Sequence, residues 1–132
     1  MATPSYGREA LKRTFLALIP KKTPFMTKYK FSDVVLVVFS QPDGSKKQRP
    51  ALVVLDIGDD DVVLAPITSK QRKGKGDLGV NNFHGAGLIA DSWIRLAKLA
   101  CLNKKDIARR LGKLASIDKK SVISSWKELY KF

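Results

Sequence analysis

The pattern of apolar and polar positions divides the chain near residue 30. Before it, Leu11, Phe15, Leu18 and Ile19 fall at i, i+4, i+7 and i+8. That spacing is one stripe of an amphipathic helix, predicted over residues 5–19. Ser5 or Thr3 can cap its start, and Pro20 marks its end. Residues 20–30 carry two prolines among lysines and read as an extended connector. After it the character changes. Residues 33–39, DVVLVVF, are β-branched and almost wholly apolar, as a core strand is. The turn residues QPDGS follow at 41–45. Pro50 to Asp56 reads as a second strand, Ile57 to Asp60 as a tight connection, and Val62 to Ile67 as a third strand. Three strands at such short spacing predict an antiparallel meander and not alternating β-α-β units.

The second half is less regular. Residues 69–82, SKQRKGKGDLGVNN, hold three glycines and four cations and read as a long loop. Residues 88–101 have room for one or two strands, with Trp93 and Leu96 as core anchors. Asn103 to Asp106 reads as a brief turn or a single helical turn, and residues 107–115 are open between helix and strand. A last helix is predicted over about 118–130, its stripe formed by Val122, Trp126 and Leu129 or Tyr130. No internal repeat is apparent. The elements alone describe a compact α+β domain.

Composition narrows this reading. With 132 residues, 44% hydrophobic and 28% charged, the chain can bury one core without staples. The one cysteine, Cys101, permits no internal disulfide, which agrees with a reducing compartment. Its apolar neighbours make it a small core side chain. No apolar run is long enough for a membrane span, and the N-terminus does not read as a signal peptide, so a cytoplasmic protein without a membrane partner is expected. The net charge of +13 changes the picture most, because it favours a polyanionic partner. Residues 94–132 hold eleven Lys and Arg against three acids, and loop 69–76 holds four cations and no acid.

The ordered set of motifs resembles a known family. Residues 33–39, Gly44-Ser45, Arg49-Pro50-Ala51-Leu52-Val53 and Ala65-Pro66-Ile67-Thr68-Ser69 look like the motifs of the MazF/PemK toxins. Gly87-Leu88, Ser92, Arg95, residues 98–102 and residues 110–114 keep that family's order and rough spacing. The resemblance covers about residue 31 onward, which sets residues 31–132 as the toxin-like domain and residues 1–30 as an N-terminal extension. It implies a mainly β fold, a small SH3-like antiparallel β-barrel with helices, here an N-terminal and a C-terminal one. It also implies a homodimer, a cognate antitoxin protein, and metal-independent cleavage of single-stranded RNA through a 2′,3′-cyclic phosphate.

The residues carry a chemistry of their own. Cleavage by a neighbouring 2′-OH gathers negative charge on the phosphate oxygens. A guanidinium answers that charge with two parallel donors and stays protonated. Arg49 stands where a basic run meets the apolar strand, and is the first catalytic candidate; Thr68, ending the third strand, is the second. The resemblance associates both positions with cleavage. Ser45, Lys46, Lys47, Ser69, Lys70, Arg72, Lys73, Lys75 and Arg95 are the RNA-binding candidates, since cations flanking the site would track a single-stranded backbone. Some members of the family place an acid two positions after the Arg95 equivalent; here Ala97 stands there. The one histidine, His84, has the titration range for acid–base work, but a lone loop histidine is more often structural or exposed. Phe83 or Trp93 is of a size to stack a base, although core packing is the commoner use of Trp93. Asp59-Asp60-Asp61 reads as a hairpin turn and not a metal site, and no cofactor motif is present. Two alternatives remain open at this point: an RNA-binding module of the same fold that no longer cuts, and a protein-targeting toxin of the gyrase-poison kind.

Overall fold

The computed structural model describes residues 27–131, so the helix expected over residues 5–19 lies outside the described residues. Seven strands, one 3-10 turn and one helix follow in order. They are β1 (Asp33–Ser40), β2 (Lys46–Leu55), β3 (Asp61–Thr68), β4 (Asp77–Gly79), β5 (Trp93–Arg95), β6 (Ala100–Asn103), the 3-10 turn Lys104–Asp106, β7 (Ile107–Lys113) and α1 (Ser116–Leu129). The sheet order is β4-β5-β3-β2-β1-β7, with β6 also pairing β3, and every pairing is antiparallel. The predicted meander is therefore present as β1-β2-β3. Residues 107–115, open between helix and strand, are a strand. The helix starts two residues earlier than expected and ends one earlier.

The sheet is not the closed barrel expected. Strands β4 and β7 lie at its two ends, and no pairing joins them among the described residues. Its curvature comes from register shifts against β1 at Val34/Val35 and Leu36/Val37, where β7 carries the extra residue, and in β2 at Val53/Leu55, which bend strands without closing a ring. The third strand also forks. Asp61–Leu64 pair with β6, while Ile67 and Thr68 pair with β5. The sheet thus splits along β3 and splays at that edge.

Two cores result, one on each face. Val34, Leu52, Ala65, Ile67, Ile94 and Leu96 bury the larger one, closed by Val122 and Trp126 of α1. Val35, Val37, Ala51, Val53, Val62 and Leu64 bury the smaller one with Tyr29 and Ile107. Both sets alternate along the same strands, so the near-continuous apolar runs of β1 to β3 are explained: these strands are covered on both faces. The N-terminal edge of the domain is fixed by Asp56, whose carboxylate accepts from the Tyr29 N–H at 2.6 Å and from the Lys104 ammonium at 2.9 Å. Lys104 is 2% exposed, a lysine wholly inside the fold. Among the described residues, no helix is long and apolar enough to cross a membrane.

Candidate nucleic-acid interface

Strand register points the two catalytic candidates toward the same end of the sheet. β2 pairs β3 with Ala51 opposite Pro66 and Leu52 opposite Ala65. Continued two residues past the last bonded pair, the same register sets Arg49 opposite Thr68. The bonded ladder stops there because Pro50 and Pro66 have no N–H to donate. Residues directly opposed across antiparallel strands share a face, with Cβ atoms about 4.5–5.5 Å apart. The second strand begins at Lys46 and not at Pro50, so Arg49 lies inside β2, paired with Val37, and not at a loop junction. The reason is β1, whose full length offers the basic run a partner out to Ser40. The outcome still suits a ligand: Arg49 is exposed on a strand that is rigid on its β1 side and unpaired on its β3 side. Thr68 is half-buried, and its Oγ1 accepts from the Lys70 N–H at 3.1 Å. Its hydroxyl proton remains available to donate to a phosphate oxygen.

The same register continues outward. Thr68 pairs with Trp93 of β5, and Trp93 pairs with Gly79 of β4. Thr68, Trp93 and Gly79 therefore form a paired row across three strands, and the extended register of β2 would add Arg49 at its Thr68 end. In the next row Asp77 faces Arg95. Arg95 donates from Nε to Asp77 Oδ1 at 3.2 Å, with the arginine side chain 29% exposed and the carboxylate 4%. The other oxygen, Asp77 Oδ2, accepts from the Gly74 N–H at 2.9 Å. Gly74 must be this close: a Cβ there would meet Asp77 Oδ2 at 2.8 Å. One buried carboxylate thus fastens the basic loop to Arg95. Because only Nε is engaged, the two terminal guanidinium nitrogens are left for a ligand in the depression lined by Gln71, Arg72, Lys73, Gly74 and Arg95. Sequence reasoning expected no carboxylate for Arg95, given Ala97, and missed Asp77. The available signal was a lone acid ending a run of cations.

The remaining candidates divide. Lys46, Lys47, Ser69, Lys70, Arg72, Lys73 and Lys75 are exposed around this face and its rim. Residues 69–82 are not one long loop, since β4 forms within them. Ser45 is occupied by its turn: its hydroxyl donates to Asp43 Oδ1 at 2.6 Å and its N–H to the same oxygen at 2.9 Å. Those bonds hold the Asp43 carboxyl below its ordinary range. His84 is exposed, its ring 4.2 Å from that of Phe83. Its loop is bound to α1 through the Asn81 and Asn82 N–H groups on Asp118, and Phe83 packs on the larger core. His84 thus belongs to the α1 side of the sheet. Two further expectations fail. Cys101 is exposed and not in the core, because β6 buries Leu102 and turns its neighbour outward. Trp93 is half-buried and belongs to neither core, because Ile94 takes the inward position of β5. Asp59 forms a turn, accepting from the Asp61 N–H at 3.0 Å.

An apolar groove of about 310 Å³ lies elsewhere, between α1 and the sheet, lined by Phe31, Leu55, Ile123 and Trp126 among others. With Lys127 as its one cation, it offers a polyanion little. Among the described residues, no group of three acids, histidines or cysteines is placed to hold a metal ion.

A family model for PemK-like, MazF-like toxins of type II toxin–antitoxin systems matches residues 30–129. Among solved structures, the chain is similar to the Mycobacterium tuberculosis toxin MazF-mt6, at 20% identity, with 71% of this chain and 93% of that one covered and a TM-score of 0.56. It is also similar to a mycobacterial endoribonuclease in complex with its cognate antitoxin, at 12% identity, 76% and 92% coverage and a TM-score of 0.61. A third is the MazE-MazF structure from Deinococcus radiodurans, at 14% identity, 78% and 95% coverage and a TM-score of 0.59. At these identities the likeness is one of fold. No curated protein matches the sequence.

Proposed function

The chain belongs to the PemK-like, MazF-like toxins of type II toxin–antitoxin systems, and from that premise we propose that it is an endoribonuclease that cleaves single-stranded RNA without a metal ion. The observation that supports this reading is the β2–β3 register, which, extended two residues past its last paired position at Ala51 and Pro66, would bring Arg49 toward Thr68 at an open strand end.

The 2′-oxygen of the substrate loses its proton and attacks the adjacent phosphorus. The bond to the 5′-oxygen breaks, and that oxygen gains a proton, leaving a 2′,3′-cyclic phosphate and a 5′-OH. Arg49 binds the two non-bridging oxygens, where charge accumulates as the fifth bond forms. Thr68 donates a second hydrogen bond and fixes the phosphate against the strand. Arg95, Lys47 and the loop cations hold the flanking phosphates. The basic face is also the surface an acidic segment of a cognate antitoxin would cover, as fits a toxin of this class working in the cytoplasm, most simply as a homodimer.

The test is incubation with mixed-sequence RNA in EDTA, with sequencing of the new 5′ ends. Cleavage in EDTA is expected, falling about 10²–10³-fold in Arg49→Ala. Arg49→Lys is expected to recover little, because an ammonium cannot give two parallel donors. RNA left intact by the wild-type protein, or cut equally well by Arg49→Ala, overturns the reading. RNA bound but intact would instead mark a binding module, and inhibited supercoiling with intact RNA a gyrase poison.

A further inference from the structure

The chain has two tryptophans, and the fold treats them differently. Trp126 packs on the larger core and lies 4.4 Å from the Tyr130 ring. Trp93 packs on neither core and is half-buried. Its Nε1 makes no hydrogen bond among the described residues. Trp93 stands on a strand only three residues long, with part of its ring open to solvent and so accessible to a ligand.

Its surroundings point to a ligand. Trp93 is bonded in register to Thr68, so the indole rises from the same face as the hydroxyl, one strand away. On its other side stands Gly79. A Cβ at Gly79 would lie 3.4 Å from Trp93 Nε1, so the pyrrole edge of the indole lies over Gly79. Arg95, two residues on along β5, shares that face, held by Asp77. The ring therefore rises from the same face as an arginine that can take a phosphate. Aromatic platform, cation and strand-end hydroxyl are the parts of a single-strand nucleic-acid subsite.

We infer that Trp93 is the stacking platform for an unpaired base of the bound strand, next to the phosphate held at Thr68. This rests on the RNA reading above and adds to it the residue that takes a base. Stacking is tolerant of sequence, because every base has a π-face. Trp93 thus supplies affinity and registers one nucleotide against the scissile bond.

The test uses a mixed-sequence single-stranded RNA methylated at every 2′-oxygen, which cannot be cleaved, titrated into the full chain. Tryptophan fluorescence should be quenched in the wild-type protein and in Trp126→Phe, and the quenching should be absent in Trp93→Phe. Anisotropy of labelled RNA should show Trp93→Ala binding about tenfold to a hundredfold more weakly, with Trp93→Phe recovering most of the loss. Quenching that persists in Trp93→Phe overturns the inference, even if Trp93→Ala does not fold. Equal binding by wild type and a folded Trp93→Ala overturns it while leaving the nuclease reading intact. No binding of RNA by the wild-type protein would sink both.

Discussion

Asp77 holds two groups at once, the Arg95 guanidinium and the Gly74 N–H, and is 4% exposed while doing so. It touches no substrate in this reading; it positions. Asp77→Ala should release Arg95 and loosen the loop, so the expected signature is a raised KM, about tenfold, with kcat changed less. Asp77→Asn keeps one acceptor and should fall between. Equal kcat and KM in Asp77→Ala and wild type would remove Asp77 from the site. The same residue marks a limit of what the sequence discloses. An acid after four cations looks like charge balance in a loop, and only the pairing of β4 with β5 sets it against Arg95. Trp93 was misread for a related reason. Its size suggests a core anchor, but in a strand of three residues one parity choice decides everything, and Ile94 is the residue buried, at 1% exposure. The strand-end position of Thr68, by contrast, is legible, because it closes a long β-branched run; Arg49 reads as a junction and stands inside β2, since nothing in its basic run announces a strand.

At the level of elements, the long runs β1 to β3 and the amphipathic α1 could be read from their periods, while β4 and β5 are too short to show one. Closure into a barrel depends on whether end strands meet, and no local pattern encodes that. Asp56 and Lys104 show how the elements are held. The side chains are 0% and 2% exposed, and together they bind the end of β2 to the turn before β7. Burial pushes the Asp56 carboxyl up, but hydrogen bonds from the Tyr29 N–H, the Lys104 ammonium and the Gly58 N–H outweigh it and hold it below its ordinary value. Asp56→Ala leaves Lys104 charged and unpaired inside the fold, at a cost of about 3–5 kcal/mol. Lys104→Met should cost less, because Asp56 keeps its two backbone donors. The pH dependence follows in sign. A carboxyl with a depressed folded pKa contributes stability above its unfolded pKa of about 3.9, and that contribution is lost as pH falls through the folded value. Thermal melts should show the wild-type midpoint dropping below about pH 4, and a shallower acid slope in Asp56→Asn/Lys104→Met. A slope unchanged in the double variant would assign the acid sensitivity elsewhere.

For the whole molecule, a net charge of +13 is far more than solubility needs, and its distribution matters more than its size. On the face of Arg49 stand Lys47 and Arg95, with Lys46, Lys70, Arg72, Lys73 and Lys75 exposed around it. The opposite side carries cations too, among them the exposed Lys119 and Lys120 of α1, but they ride on the helix that closes the larger core, across the sheet from Arg49. Each phosphate neutralised on a single strand releases counterions, so log affinity should fall with log salt at a slope of about −0.7 per contact. If the Arg49 face carries the RNA, Lys47→Ala/Lys73→Ala should lessen that slope by about 1.4, two contacts' worth. Lys119→Ala/Lys120→Ala removes the same charge from the molecule and should leave the slope as it was. Net charge alone would make the two double variants equal, since at ordinary ionic strength both lose two cations from one small domain. The comparison therefore separates a basic protein from a basic site: equal slopes for the two variants, measured from 50 to 300 mM salt, would mean that RNA is held by charge spread over the surface and not by the row of Arg49, Thr68 and Trp93.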